Sequence, residues 1–295
     1  ALKAVIKPGE TIVADIGAGT GLLGVMAARL GAKRVYMYES EAVAEIAGRV
    51  VKANKLRNIE IMPCHSTEMQ DPPRADVVVS ETLGNYALEE NIIPTLHDAQ
   101  RRHLAPGGIM IPSAITQFAC PVVSGRIAAE LDAWNRVSPQ LGLDIDLSPA
   151  EELSLNNIYV RWLEPAELLD TGRAAREWDR IALGRETKSS RSGEIRWKLD
   201  APATIHGFAL WWDAELVPGI VMSTSPLAAR THWEQLYLPL PEPLAAQQGE
   251  TVVLNVRSRS SYDEGTHLAW TATLEDRAGK RRARHAMDLD KGWLP

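Results

Sequence analysis

In the strand-like run Thr251–Arg259 the chain is apolar at Val252, Leu254 and Val256, and mostly polar between them at Val253, Asn255 and Arg257. A period of two marks a strand with one buried and one solvated face, most often in an antiparallel sheet. Strand-like runs also lie at Ala114–Val123, Glu194–Leu199, Thr204–Leu216, Glu234–Leu240 and Leu268–Leu274, with proline- and glycine-containing turns between. They predict an antiparallel β-barrel or sandwich. Residues 1–112 keep a different rhythm. Strands are predicted at Thr11–Ile16, Arg34–Tyr38, Ile59–Met62, Ala75–Ser80 and Gly107–Ile111. Between them lie helical runs at Leu22–Leu30, Glu41–Ala53 and Ile92–Leu104. Such alternation predicts an α/β fold with a parallel, doubly wound sheet. The expected division is therefore 1–112 and 113–295. A helical insert is expected near 126–150, where Ile127, Leu131 and Trp134 share one stripe, and Arg185–Gly193 reads as a linker.

Composition narrows the class only a little. With 45% hydrophobic and 24% charged residues in 295, this is an ordinary globular chain of one large domain or two. No apolar run approaches the roughly 18 residues that span a bilayer, so no membrane role is expected. A net charge of −6 argues against direct nucleic-acid binding and suits a basic polypeptide partner. Two cysteines, Cys64 and Cys120, give no disulfide framework, which fits a cytoplasmic protein. With no further Cys or His at ligand spacing, no metal site is expected around Cys64 and His65.

The candidate chemistry starts at VADIGAGTGLLG, which puts Asp15, Gly17, Gly19, Gly21 and Gly24 at a strand-to-helix turn. Glycines there let a ligand approach the main chain. Gly19, Gly21 and Gly24 also satisfy the dinucleotide pattern, and Glu39 stands about twenty residues on, where a ribose-binding acid is expected. Spacing alone therefore admits NAD. Charge favours another cofactor: Asp15 would repel a pyrophosphate, whereas the ammonium and sulfonium of S-adenosylmethionine favour a carboxylate. Residues 11–112 resemble a class I methyltransferase domain, with the glycine loop, Glu39, and then Cys64-His-Ser-Thr-Glu68 after the third strand. The resemblance implies that Asp15, Gly17, Gly19 and Glu39 bind S-adenosylmethionine, with Ser66 and Thr67 beside its adenine.

The fourth strand runs into SETLGNYALEENII, which holds Glu81 and, nine residues later, Glu90. Strand carboxyl ends are where α/β sheets usually place their sites. Two carboxylates brought together repel unless a proton or cation lies between, and arginine's permanently charged fork is a natural cation for them. Paired acids could orient a guanidinium and leave one nitrogen more nucleophilic; read alone, Glu90 is as well a solvated first-turn acid. The string resembles the double-glutamate loop of protein arginine methyltransferases, with Glu81 and Glu90 at the matching positions. Met222–Gln235 resembles the same family's Thr-His-Trp loop, carried by Thr231, His232 and Trp233. The resemblance covers nearly the whole chain. It implies a methyltransferase domain followed by a β-barrel, with Glu81, Glu90 and His232 catalytic and Trp233 stacking on the substrate. Taken alone, His232 and Trp233 read as barrel packing.

The family pattern is also departed from. About ten residues precede Thr11 and none is aromatic, where family members carry helices whose aromatic side chains cover the cofactor. Thr82 and Leu83 stand where a bulky aromatic and a methionine are usual. The expectation is methyl transfer to arginine in a protein or peptide by a homodimer whose docking arm is the 126–150 insert. The rival readings are transfer to a small amine or guanidino compound, and a binding protein without turnover.

Overall fold

A computed structural model of the chain describes residues 1–142, 145–261 and 263–292. Leu143 and Asp144, inside the expected insert, lie outside the described residues, as do Tyr262 and residues 293–295. The chain divides into two compact units. The first comprises Ala1–Ile115, Ile181–Ser189 and Ala214–Met222, and the second the remainder.

In the first unit a short helix α1 (Leu2–Val5) precedes strand β1 (Ile12–Ile16), helix α2 (Leu22–Arg29), β2 (Arg34–Tyr38) and α3 (Ala44–Ala53). Then follow β3 (Ile59–Met62), β4 (Ala75–Ser80), α4 (Ile92–Arg102) and β5 (Leu104–Ile111). The five strands form one parallel sheet in the order β3-β2-β1-β4-β5. The central strands β1 and β4 are buried almost throughout, so both their faces are apolar, as a covered parallel sheet requires. Val13, Val35, Met37, Val77 and Val79 form its core with Ala27 and Ala28 of α2. The chain walks outward from β1 to β3 and then returns to β1's other side at β4. Between β1 and β4 the winding reverses, and ligands of such sheets bind at the strand carboxyl ends beside that point. Helix α3 begins three residues later than its pattern suggests, because the Glu41 N–H is taken by the Glu39 carboxylate at 2.8 Å.

From Ala114 on the chain is mostly antiparallel; most of these elements belong to the second unit, while most of β11 and the ends of β6, β8 and β10 fall in the first. Strand β6 (Ala114–Val122) is followed by helices α5 (Arg126–Leu131), α6 (Ala133–Leu141) and α7 (Ser148–Leu155). The single helix expected from Arg126 to Trp134 is therefore broken at Asp132, and Trp134 opens α6, its indole N–H donating to Ser154 Oγ of α7 at 2.8 Å. Strands β7 (Tyr159–Arg161), β8 (Arg176–Ala182), β9 (Arg191–Lys198), β10 (Ala203–Val217), β11 (Ile220–Ser223) and β12 (Gln235–Ala246) come next. Then come β13 (Thr251–Ser261), β14 (Gly265–Glu275) and β15 (Arg281–Asp288). One sheet has the order β7-β12-β10-β6-β8 with β11 on β10, and the other β15-β14-β13-β9. The two meet through large apolar side chains. Trp197 of β9 stacks on Phe208 of β10 at 5.7 Å, and the Trp270 indole of β14 reaches Pro239 O of β12 at 3.4 Å. The expected antiparallel barrel is thus built from two sheets over one core.

Candidate active site

The glycine loop leaves β1 at Ile16 and enters α2 at Leu22. Gly17, Gly19 and Gly21 have φ of 69°, 55° and 85°, where any side chain is strained. Several of the loop's backbone donors are committed within the fold. Gly17 N and Ala18 N donate to Tyr38 O at 3.0 and 2.9 Å, and Gly21 N to Ala18 O at 2.8 Å. Gly19 N donates to Glu39 Oε2 at 2.7 Å, and Gly24 N to Asp15 Oδ2 at 2.8 Å. A diphosphate needs such N–H groups free. These particular donors are closed to a diphosphate, which adds to the argument from charge.

S-adenosylmethionine fits what remains. A Cβ built on Gly19 would meet nothing within 4 Å, so the main chain there faces open space. Glu39 is 9% exposed, and the two backbone N–H groups it accepts use about half of a carboxylate's acceptor capacity. The rest suits ribose hydroxyls. Asp15 lies deeper than the sequence suggests. It is 1% exposed and sits beneath the loop, holding the start of α2 through Gly24. Burial pushes its carboxyl up to about 7, the Gly24 bond works against this, and the charge of Glu39 adds to it. A carboxylate at that depth can act on a cationic ligand only through its field.

Behind the third strand, Ser66–Glu68 form a single 3-10 turn. Helix α4 grips it from below: Arg102 and His103 each donate to Ser66 O, at 2.9 and 3.0 Å, and Arg102 also to Met69 O at 2.5 Å. Asp98 holds Arg102 in turn at 2.7 Å. Ser66 is 2% exposed and lies under the turn, whereas Thr67 is exposed and bonds His65 Nδ1 at 2.7 Å. Of these two, Thr67 is the one that a ligand could touch.

Glu81 follows β4, whose last residue, Ser80, is paired with Ile16. Ser80 Oγ donates to Ile16 O at 2.8 Å and lies 3.2 Å from Thr82 Oγ1. A Cβ on Gly17 would come 2.7 Å from Thr82 Cγ2. The residues on both sides of Glu81 thus touch the glycine loop, and Glu81, itself exposed, stands beside it. Leu83, Tyr86, Ala87 and Leu88 turn inward and are buried, while Glu89 and Glu90 end the loop exposed, just before α4. Sequence reasoning passed over Ser80 and the Gly17–Thr82 contact, which only tertiary structure reveals.

In the second unit, Thr224 Oγ1 accepts from Trp212 N at 3.1 Å and donates to Trp212 O at 3.0 Å, tying the start of the second motif to β10. Trp233 is 7% exposed. Its ring meets Trp212 edge-on at 5.2 Å and lies 3.7 Å from the ring of His232, which is itself exposed. With an edge on Trp212 and His232 against it, Trp233 sits in the packing of this unit and not on an open stacking platform. That is the barrel-packing reading of this residue.

Comparison with known proteins agrees with this construction. Residues 114–274 match the family model described as the arginine methyltransferase oligomerization subdomain, and residues 1–137 match that of the ribosomal protein L11 methyltransferase. The chain is 31% identical over 282 residues to protein arginine N-methyltransferase 6 of Xenopus laevis, covering 92% of this chain and 82% of that protein. It is 30% identical over 271 residues to the arginine N(omega)-methyltransferase of Streptomyces achromogenes subsp. streptozoticus, covering 87% and 70%. Its fold matches the PRMT1 enzyme–prozyme complex of Trypanosoma brucei with AdoHcy at a TM-score of 0.82 and 23% identity, covering 95% of this chain and 88% of that one. It matches Arabidopsis thaliana protein arginine methyltransferase 10 at 0.79 and 20% identity, covering 98% and 93%. A glycine loop at the winding reversal of the sheet, a glutamate anchored beside it, and relatives of this extent together assign the chain: it belongs to the protein arginine methyltransferase family, whose cofactor is S-adenosylmethionine.

Proposed function

We propose that the protein transfers a methyl group from S-adenosylmethionine to a guanidino nitrogen of arginine in a protein or peptide, with Glu81 and Glu90 holding the guanidinium. The observation that carries this reading is the pinning of Glu81 to the glycine loop through Ser80 and Thr82. A carboxylate anchored there can position a cation against whatever the loop binds. The bound cofactor supplies an electrophilic methyl on a positively charged sulfur. Glu39 takes the ribose hydroxyls, and Thr67 lies at the adenine. Glu81 and Glu90 concentrate the guanidinium's positive charge on two of its nitrogens and leave the third richer in electrons. Either carboxylate can accept the proton that this nitrogen releases. His232 and Thr231 order the second motif. The protein acts in the cytoplasm and assembles as a homodimer with helices α5 to α7 as the docking arm; the family description of residues 114–274 as an oligomerization subdomain supports the assembly alone.

The relative named as an arginine methyltransferase without reference to protein supports a second reading, transfer to a small guanidino compound. Incubation with labelled methyl donor, an arginine-rich peptide pool and free arginine separates the two by mass spectrometry. Label confined to free arginine refutes the protein substrate. In the same assay Glu81→Gln and Glu90→Gln abolish transfer while calorimetry shows cofactor binding retained. Full activity in both variants refutes the two-carboxylate mechanism.

A further inference from the structure

Eight residues separate Glu81 from Glu90, and a segment of that length needs internal ties to hold two carboxylates in register. Gly84 shows where one tie lies. A Cβ built there would come 2.6 Å from both Cβ and Cδ of Glu89, and nearer still to its Oε2. Real Cβ atoms do not approach other atoms within 3.0 Å. Gly84 is not in the left-handed region, so crowding alone excludes a side chain from it. The Glu89 carboxylate lies down over Gly84 and accepts the backbone N–H groups of Tyr86 and Asn85, while Glu89 N donates to Tyr86 O at 3.0 Å. Exposed as Glu89 is overall, its carboxyl is partly withdrawn from water, which holds it above the ordinary range; those two bonds pull it down, and the charge of Glu90 raises it again. From the other side the buried Leu83, Tyr86 and Leu88 fix the same turn. As a lone letter in the sequence, Glu89 reads only as a solvated acid before a helix.

We infer that Glu89 is a positioning residue for methyl transfer: its carboxylate closes the turn between Glu81 and Glu90 and so sets the spacing of the pair. This rests on the reading of those two glutamates as the guanidinium's partners. Glu89 touches no reacting atom. Its effect passes through the backbone of Asn85 and Tyr86 to the loop ends.

The test uses the full chain. Steady-state kcat and KM are measured with an arginine-rich peptide, cofactor Kd by calorimetry, and Tm, for Glu89→Ala, Glu89→Gln, Gly84→Ala and Glu81→Gln. Glu89→Ala leaves two N–H groups without their charged acceptor, and kcat/KM falls by about 10-fold or more. Glu89→Gln keeps an acceptor oxygen and recovers activity to within about 3-fold of the parent. Gly84→Ala displaces Glu89 and behaves like Glu89→Ala. Cofactor Kd stays within about twofold in both Glu89 variants, a split that a general loss of structure does not give. The inference falls if Glu89→Ala keeps parental kcat/KM while Glu81→Gln is inactive, and the two-glutamate reading then stands. It falls also if the loss in Glu89→Ala travels with lost cofactor affinity and a lower Tm. Full activity in Glu81→Gln overturns both.

Discussion

Replacing Gly17 by alanine tests how the two loops of the site are joined. Two effects act on the added methyl. At φ of 69° an alanine pays about 1–2 kcal/mol for the left-handed conformation. Its Cβ would also stand 2.7 Å from Thr82 Cγ2, well inside the roughly 3.5–4.0 Å of an ordinary carbon contact. Overpacking of this kind costs about 1–3 kcal/mol. The sum is about 2–5 kcal/mol, and cofactor affinity falls with it because the same loop moves. Thr82→Ser isolates the second effect, since it deletes Cγ2 and keeps the hydroxyl that faces Ser80 Oγ at 3.2 Å. In the serine background Gly17→Ala should therefore retain only the backbone penalty. Urea unfolding of the parent, both single variants and the double variant gives the coupling, expected at about 1–3 kcal/mol. Additivity within about 0.5 kcal/mol refutes the contact, and with it the claim that Glu81 is anchored to the glycine loop.

Other perturbations reach the rest of the molecule. With a folded-state value of about 7 against 3.8, Asp15 binds its proton more tightly in the native chain. Stability in the absence of ligand therefore falls as pH rises from about 4 to 7, by on the order of 4 kcal/mol. Asp15→Asn removes that slope, and a variant that keeps it in urea titrations across this range disproves the assignment. Arg191 and Asp179 form a two-point pair at 2.5 and 2.8 Å with side chains only 13% and 8% exposed. Arg191→Ala removes the acid's counter-charge, leaving it the amide of Gln117 at 3.1 Å, and lowers unfolding free energy by about 3–5 kcal/mol, whereas Arg191→Met paired with Asp179→Leu loses much less. Equal losses in the two would rule out an uncompensated charge as the cause. Trp233→Ala opens a cavity against Trp212 and lowers stability by about 3–5 kcal/mol. An unchanged Tm with a raised peptide KM would instead make the ring a substrate contact.

Much of the first unit was legible because its signals are local. Strands β2, β3 and β4 begin and end where their apolar runs do, and the turn after β1 is announced by its glycines. Strands β7, β8, β11 and β15 went unseen for a physical reason. Arg281–Asp288 and Arg176–Ala182 are rich in charge and only partly buried, so neither carries a strong period of two. Tyr159–Arg161 and Ile220–Ser223 are too short to show a period at all. In the site, residue types and spacing picked out Asp15, Glu39 and Glu81, while depth was invisible. Only the folded chain shows Asp15 under its loop, Ser66 beneath its turn and Trp233 within its packing. Glu89 illustrates the limit: its importance lies in a contact with Gly84 that no periodicity encodes.

The commitment of the glycine loop's N–H groups to Tyr38, Glu39, Ala18 and Asp15 has an electrostatic consequence. Those N–H groups have little left to offer a ligand, and two acids, one of them buried with its carboxyl raised to about 7, lie at the same loop. On the proposed function the donor and the spent thioether would differ by one positive charge, and Asp15, whose burial raises its carboxyl, would in its ionised form favour the more cationic of the two.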